Sequence, residues 1–157
     1  MKLLVRSIQK QFAAAWDMLT EAVNVTEDRE WQTGNPPHLV PARLAYHVIQ
    51  TADYYVHPEL TEFDWAGRFS SDWETADAGD LPDRMSIMSY LHDVRLKVNA
   101  WLELHGDEGL LEPDADFMDE GMTHLDRALY VLRHTQHHLG EWFAVLRERC
   151  IPRPVWR

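Results

Sequence analysis

The chain has a single cysteine, Cys150, in 157 residues, so no disulfide can close within it and no pair of thiolates can hold a metal. Apolar runs are short. None approaches the roughly 18 residues that a membrane-crossing helix needs, and the opening MKLLVRSIQKQF mixes charged and apolar side chains too early for a secretory signal. Together these points lead us to expect a cytoplasmic protein with no membrane partner. Basic residues are also scarce: 15 Lys and Arg stand against 26 Asp and Glu, a net charge of -11, with no basic block. Such a field repels phosphate backbones, and nucleic acid is not expected as a partner. No glycine-rich phosphate loop, nucleophile elbow, internal repeat or strand-like alternation is present.

What the chain does have is enough apolar material for one core, 45% of its residues, with 26% charged, at a length that suits a single domain spanning 1–157. Four segments carry a helical period. From Met1 to about Val23, Leu4, Ile8, Phe12, Ala15, Leu19 and Ala22 recur at steps of three and four, one face of a helix. The stretch EDREWQTGNPPHLVP, with its glycine and three prolines, reads as a connection. A second helix should begin near Pro41 and stop at His57 and Pro58, with Leu44, His47, Val48, Thr51 and Tyr55 on one face.

Residues 58–80 are rich in acids and aromatics, including Phe63, Trp65, Phe69 and Trp73, but have no period. That is long for a connection in a bundle. It suffices to cross the length of the molecule and let the helices on either side run parallel, or to serve as a lid. The third helix, from about Pro82 to Leu104, places Ile87, Leu91, Val94, Val98 and Trp101 in a heptad stripe. Thr123 and Asp126 resemble a helix-capping pair, and the fourth helix should run from His124 to about Cys150, before Pro152 and Pro154. Four amphipathic helices without strands bury their stripes most simply against one another, so the expected fold is all-α, a four-helix bundle.

The informative segment for chemistry is LRHTQHHLGEW. Residues four apart share a helix face, so His134 and His138 can aim at one ion, while His137 is rotated outward. A third donor should come from an apolar face of another helix, where His47 sits beside Leu44, Val48 and Thr51. The remaining histidines are weaker: His38 and His105 fall in connections, His57 and His124 at helix ends, and His92 next to the Leu91 stripe. We read them as surface or capping residues.

Three neutral imidazoles suit zinc, nickel, cobalt or ferrous iron and leave a position open for water or substrate. A bare His-x3-His pair also occurs in proteins that hold no metal, so the inward-facing His47 carries much of the weight. Thr135 stands where a zinc protease would have Glu, and no Glu-x-x-His occurs, which argues against a ferritin-type di-iron site.

ARLAYHVIQTADYYV followed far downstream by LRHTQHHLGEWFAVLR resembles the DinB/YfiT-like metalloenzyme superfamily, over nearly the whole chain. The resemblance implies that one His of the second helix and the His-x3-His pair of the last, here His47, His134 and His138, hold a divalent ion. Zinc or nickel heads the list, with iron, cobalt or manganese admitted. It further implies an up-down-down-up bundle, a homodimer, and a small-molecule substrate in a thiol-dependent transferase or isomerase, or in a hydrolase. The substrate itself does not transfer with the motif.

Glu141, one turn after His138, is expected either to orient a ligand or shuttle a proton, or simply to be a solvated helix charge. Asp53 and Tyr54 are placed near the pocket on one reading and are a surface and a packing residue on the other. The competing functional expectation is a non-catalytic bundle in which an ion only links two helices. Trp65, Phe69 and Trp73 either close over a substrate or merely pack the connection down.

Overall fold

The computed structural model describes residues 2–117 and 120–157. It is all-helical, with four long helices, one short one and no strand among the described residues. Among the described residues no helix is long and apolar enough to cross a membrane.

Helix α1 spans Leu3–Val25 and buries Ile8, Phe12, Ala15, Leu19 and Ala22 of the face anticipated from spacing, with Leu4 only half-buried, together with Val5, Trp16, Met18 and Val23. Its first turn has no capping side chain of its own. A carboxylate from elsewhere takes that role: the Val5 amide donates to Oδ1 of Asp107 at 2.9 Å, and Lys2 reaches Glu103 at 2.6 Å. Backbone amides left over at a helix start need acceptors. Hydrogen bonding from those amides in turn holds the Asp107 carboxyl below its ordinary pKa.

The stretch read as a connection after α1 contains a short helix, α2, at Asp28–Trp31. It forms because Trp31 has a place in the core, where its indole N–H donates to the Pro82 carbonyl at 2.9 Å.

Helix α3 spans Pro41–Tyr55 and starts on a proline, which loses no helical hydrogen bond in the first turn. From Pro41 to Asp53 every residue is buried except His47, which is half-buried. Helices α4 (Arg84–Gly109) and α5 (His124–Glu148) cover α3 on two sides, and the same two helices pack against α1.

The rest of α3 lies under the 56–83 connection, which contains only short 3-10 turns at Leu60–Glu62 and Ala78–Asp80. Three buried polar side chains of α3 bind its backbone. Arg43 donates to the carbonyls of Trp73, Glu74 and Ala76, Tyr46 to that of Ser71, and Gln50 to that of Trp65. An aperiodic segment packed on a core must place its carbonyls somewhere, and this row of donors takes them. Phe69 and Trp73 pack on the core, whereas Trp65 stays largely exposed.

In α4 the stripe Ile87, Leu91, Val94 and Val98 is buried as expected, but Trp101 is only half-buried and Leu102 completes the row. Gly106 then breaks the helical path with φ of 65°, a conformation that costs glycine little. His105 therefore ends a helix rather than lying in a connection, and its ring faces that of His124 with centroids 4.0 Å apart. Helix α5 opens with the anticipated capping box, Thr123 and Asp126 each accepting from the other's backbone amide, and closes at Glu148, two residues before the expected end. Side chains at this cap also reinforce it, the Thr123 hydroxyl donating to Asp126 at 2.7 Å.

Replacing an N-cap threonine by alanine costs about 1 kcal/mol. Thr123→Ala is therefore expected to lower the stability read from urea denaturation by about that amount, with an unchanged m-value.

Candidate metal centre

His134 and His138 project from successive turns of α5, and His47 meets them from α3. Their Nε2 atoms form a nearly equilateral triangle: 3.0 Å from His134 to His47, 3.1 Å from His47 to His138 and 3.1 Å from His138 to His134. The rings stand steeply to one another, at 72°, 82° and 71°, so they converge like three blades rather than stacking. This is a group of donors able to hold a metal ion.

The hydrogen positions follow from the outer nitrogens. Nδ1 of His138 lies 2.7 Å from Oε2 of Glu141, and a carboxylate only accepts, so Nδ1 carries the proton and Nε2 presents a lone pair. Nδ1 of His47 lies 3.5 Å from the Thr51 hydroxyl. Nδ1 of His134 is buried and has no partner.

Burial, and secondarily the adjacent His138, pull the His47 pKa down to about 4. Burial, then His47 and His138, pull His134 down to about 3, with Glu141 acting weakly in the opposite sense. Both rings are thus neutral near pH 7, the form that offers a lone pair to a metal.

With each ring proton on Nδ1, as Glu141 sets for His138, three nitrogen lone pairs would face one point and repel, and a cation at that point would relieve the repulsion. The centre of the triangle is about 1.8 Å from each nitrogen, slightly less than a metal–imidazole bond of about 2.0–2.1 Å, so an ion at bonding distance fits just outside the plane of the three atoms. The residues present therefore suit a divalent transition ion, and all three are half-buried.

The other residues singled out by sequence are distributed differently. His137 is exposed, 3.7 Å from Oε1 of Glu141, and does not join the triangle. Glu141, whose ordinary reading was a solvated charge, touches His138 instead. Asp53 is buried on the α4 side of α3, where it accepts from Tyr90 at 2.9 Å and from Lys97 at 2.6 Å. This pairing gives its carboxylate a structural use away from the triangle. Tyr54 joins Tyr55, Phe63 and Trp65 in an aromatic group.

Two contacts with the triangle were not anticipated from the sequence. Trp73 lays its indole on the His47 ring, centroids 3.9 Å apart, and Tyr130 lies nearly parallel to His134 at 6.1 Å. Tyr130 is one turn before His134, a spacing that could have flagged it. No local signal links Trp73 to His47, because the contact depends on the path of an aperiodic segment.

Compared with protein-family models, with curated proteins and with solved structures, the chain matches none.

Partners of a ligating histidine's outer nitrogen typically change metal affinity by about 10–100-fold when removed. We expect Glu141→Ala to weaken zinc or nickel binding by at least about tenfold in a chelator competition, and Glu141→Asp to recover part of the loss.

Proposed function

We propose that this protein is a DinB-like, divalent-metal-binding four-helix bundle whose three-imidazole site serves a metal-dependent enzyme acting with a low-molecular-weight thiol or with water. The observation that carries the reading is the convergence of Nε2 of His47, His134 and His138 to 3.0–3.1 Å of one another from two helices. Zinc and nickel are the first expectations for the ion, with iron, cobalt and manganese compatible with the same donors.

End-to-end contacts support the up-down-down-up order. The start of α1 meets the end of α4 through Val5 and Asp107, and the end of α1 meets the start of α4 through Arg84 and the Thr26 carbonyl. The end of α3 meets the start of α5 through the Tyr55 carbonyl and Arg127. Asp53 near the end of α3 reaches the middle of α4, and Val56 and Trp101 line one cavity beyond it, which suits two helices running the same way. A homodimer belongs to the same reading, on the family resemblance.

When bound, a divalent ion with three imidazole donors supplies Lewis acidity that brings the pKa of a water or thiol toward neutrality. The chain's own part is to hold and tune. His47, His134 and His138 present their Nε2 atoms to one point. Glu141 keeps the Nδ1 proton on His138 and thereby keeps Nε2 aprotic. Its second oxygen lies 3.7 Å from the exposed His137.

Protein purified without a metal-affinity tag should contain about one transition ion per chain by elemental analysis. His138→Ala should abolish it and His137→Ala should leave it; an ion retained by the first variant would overturn the ligand assignment. For activity, the loaded protein should consume a small thiol in the presence of an electrophile, stop when the metal is stripped, and resume when it is restored. Full occupancy with neither thiol transfer nor hydrolysis would instead favour an ion that merely links α3 to α5.

A further inference from the structure

We propose that Trp73 is a wall of the three-histidine site that fixes the His47 ring and shields it from water, and that Arg43 is the positioning residue that holds Trp73 there. The inference rests on the metal reading above.

The three rings are not oriented by equal means. His138 is fixed by a 2.7 Å hydrogen bond to Glu141, and His134, half-buried and without a described partner on Nδ1, stands on the rigid α5 with the Tyr130 ring nearly parallel to it. His47 has only the Thr51 hydroxyl at 3.5 Å, the outer limit of a hydrogen bond. Something else must stop its imidazole from turning about the Cβ–Cγ bond, because a small rotation would take Nε2 out of the triangle. The indole of Trp73, against the imidazole face at 3.9 Å and tilted by 40°, blocks that rotation. It also lines a cavity of about 630 Å³ with His38, Arg43 and Glu74, and His47 does not line that cavity. Removing the indole would expose the ring from that direction.

Trp73 sits in a segment with no regular structure of its own, and its position comes from α3. Arg43, one turn before His47, is buried, and no carboxylate among the described residues pairs with it. Its guanidinium instead donates to the carbonyls of Pro37, Trp73, Glu74 and Ala76. A planar fork with five donors can bind several carbonyls around it, while a lysine ammonium is a point charge that cannot cover the same spread. The cation thus clasps the backbone of Trp73 itself, four residues along α3 from the imidazole that the indole covers.

The full-length protein, loaded with zinc, would be mixed with excess chelator and the release rate followed. Trp73→Ala and Arg43→Lys should each speed release about tenfold, and Trp73→Phe should stay within about threefold of the parent protein. Because Arg43 acts through Trp73, the double variant Arg43→Lys with Trp73→Ala should release no faster than Trp73→Ala alone. If Arg43→Lys does not fold, Tyr46→Phe replaces it: that change deletes only the hydroxyl bonded to the Ser71 carbonyl and should give a smaller increase in the same direction. Gln50→Ala, which frees the connection at Trp65, should lower the melting temperature without changing release.

Cobalt binding should quench tryptophan emission more in the parent than in Trp73→Phe. An unchanged release rate in Trp73→Ala, or additive effects in the double variant, would overturn the inference while leaving the metal reading intact. A parent protein that holds no ion would instead remove the metal reading, and this inference with it.

Discussion

A helix buried on every side must provide partners for each polar group it carries inward, and α3 carries Arg43, Tyr46 and Gln50 within two turns. Burying a guanidinium without compensation is costly, and an unpaired amide or hydroxyl is costly too. The partners are the carbonyls of the 56–83 connection, which have no helix or sheet of their own to bind. The two needs are met by the same hydrogen bonds. The connection is held to the core because α3 requires acceptors, and α3 can be enclosed because the connection supplies them. His47 is the one residue between Pro41 and Asp53 left half-open by this enclosure.

The candidate metal centre uses the remaining freedom of that arrangement. Two donors come from successive turns of one rigid helix, so their separation is set by helical geometry alone. The third depends on how α3 lies against α5. Near one end the two helices are tied by Arg127, which donates to the Tyr55 carbonyl at 3.3 Å and pairs with the buried Asp114. A buried ion pair is weak evidence for net stability, yet Asp114, in the connection before α5, keeps the Arg127 guanidinium compensated where it reaches the end of α3. An ion shared by α3 and α5 would add its binding free energy to the folded state, because the unfolded chain has no preformed site.

How much of this could be read before any coordinates was decided by locality. The boundaries of α3 and α5 followed from Pro41, Pro58 and the Thr123–Asp126 box, and the His134–His138 pair followed from a four-residue spacing, all of them signals within one or two turns. The inward face of His47 came from its apolar neighbours Leu44 and Val48. The sequence-based reading failed where an outcome depended on contacts across the fold. Asp53 reads from the sequence chiefly as a surface residue, with a place near the pocket as the other reading, and is instead buried where Tyr90 and Lys97 claim it from α4. His105 was displaced into a connection by the glycines that follow it, whereas the helix persists to the residue before Gly106. Trp73 belonged to a segment without period, and its contact with His47 is fixed by side chains of a different element.

The choice of arginine at position 43 follows from the same physical argument. A lysine there would keep the charge but would have to satisfy backbone carbonyls spread over Trp73 to Ala76 from a single nitrogen. A neutral residue would strand those carbonyls at the edge of the core. The delocalised guanidinium is less strongly hydrated than an ammonium and loses less on burial, and its planar fork reaches the carbonyls of Trp73, Glu74 and Ala76 from two nitrogens. It therefore fixes the path of the segment as well as its distance from α3. Only a fixed path can bring an indole from an aperiodic chain reproducibly onto one imidazole, and the orientation of that imidazole decides whether three nitrogens share a point or only two do.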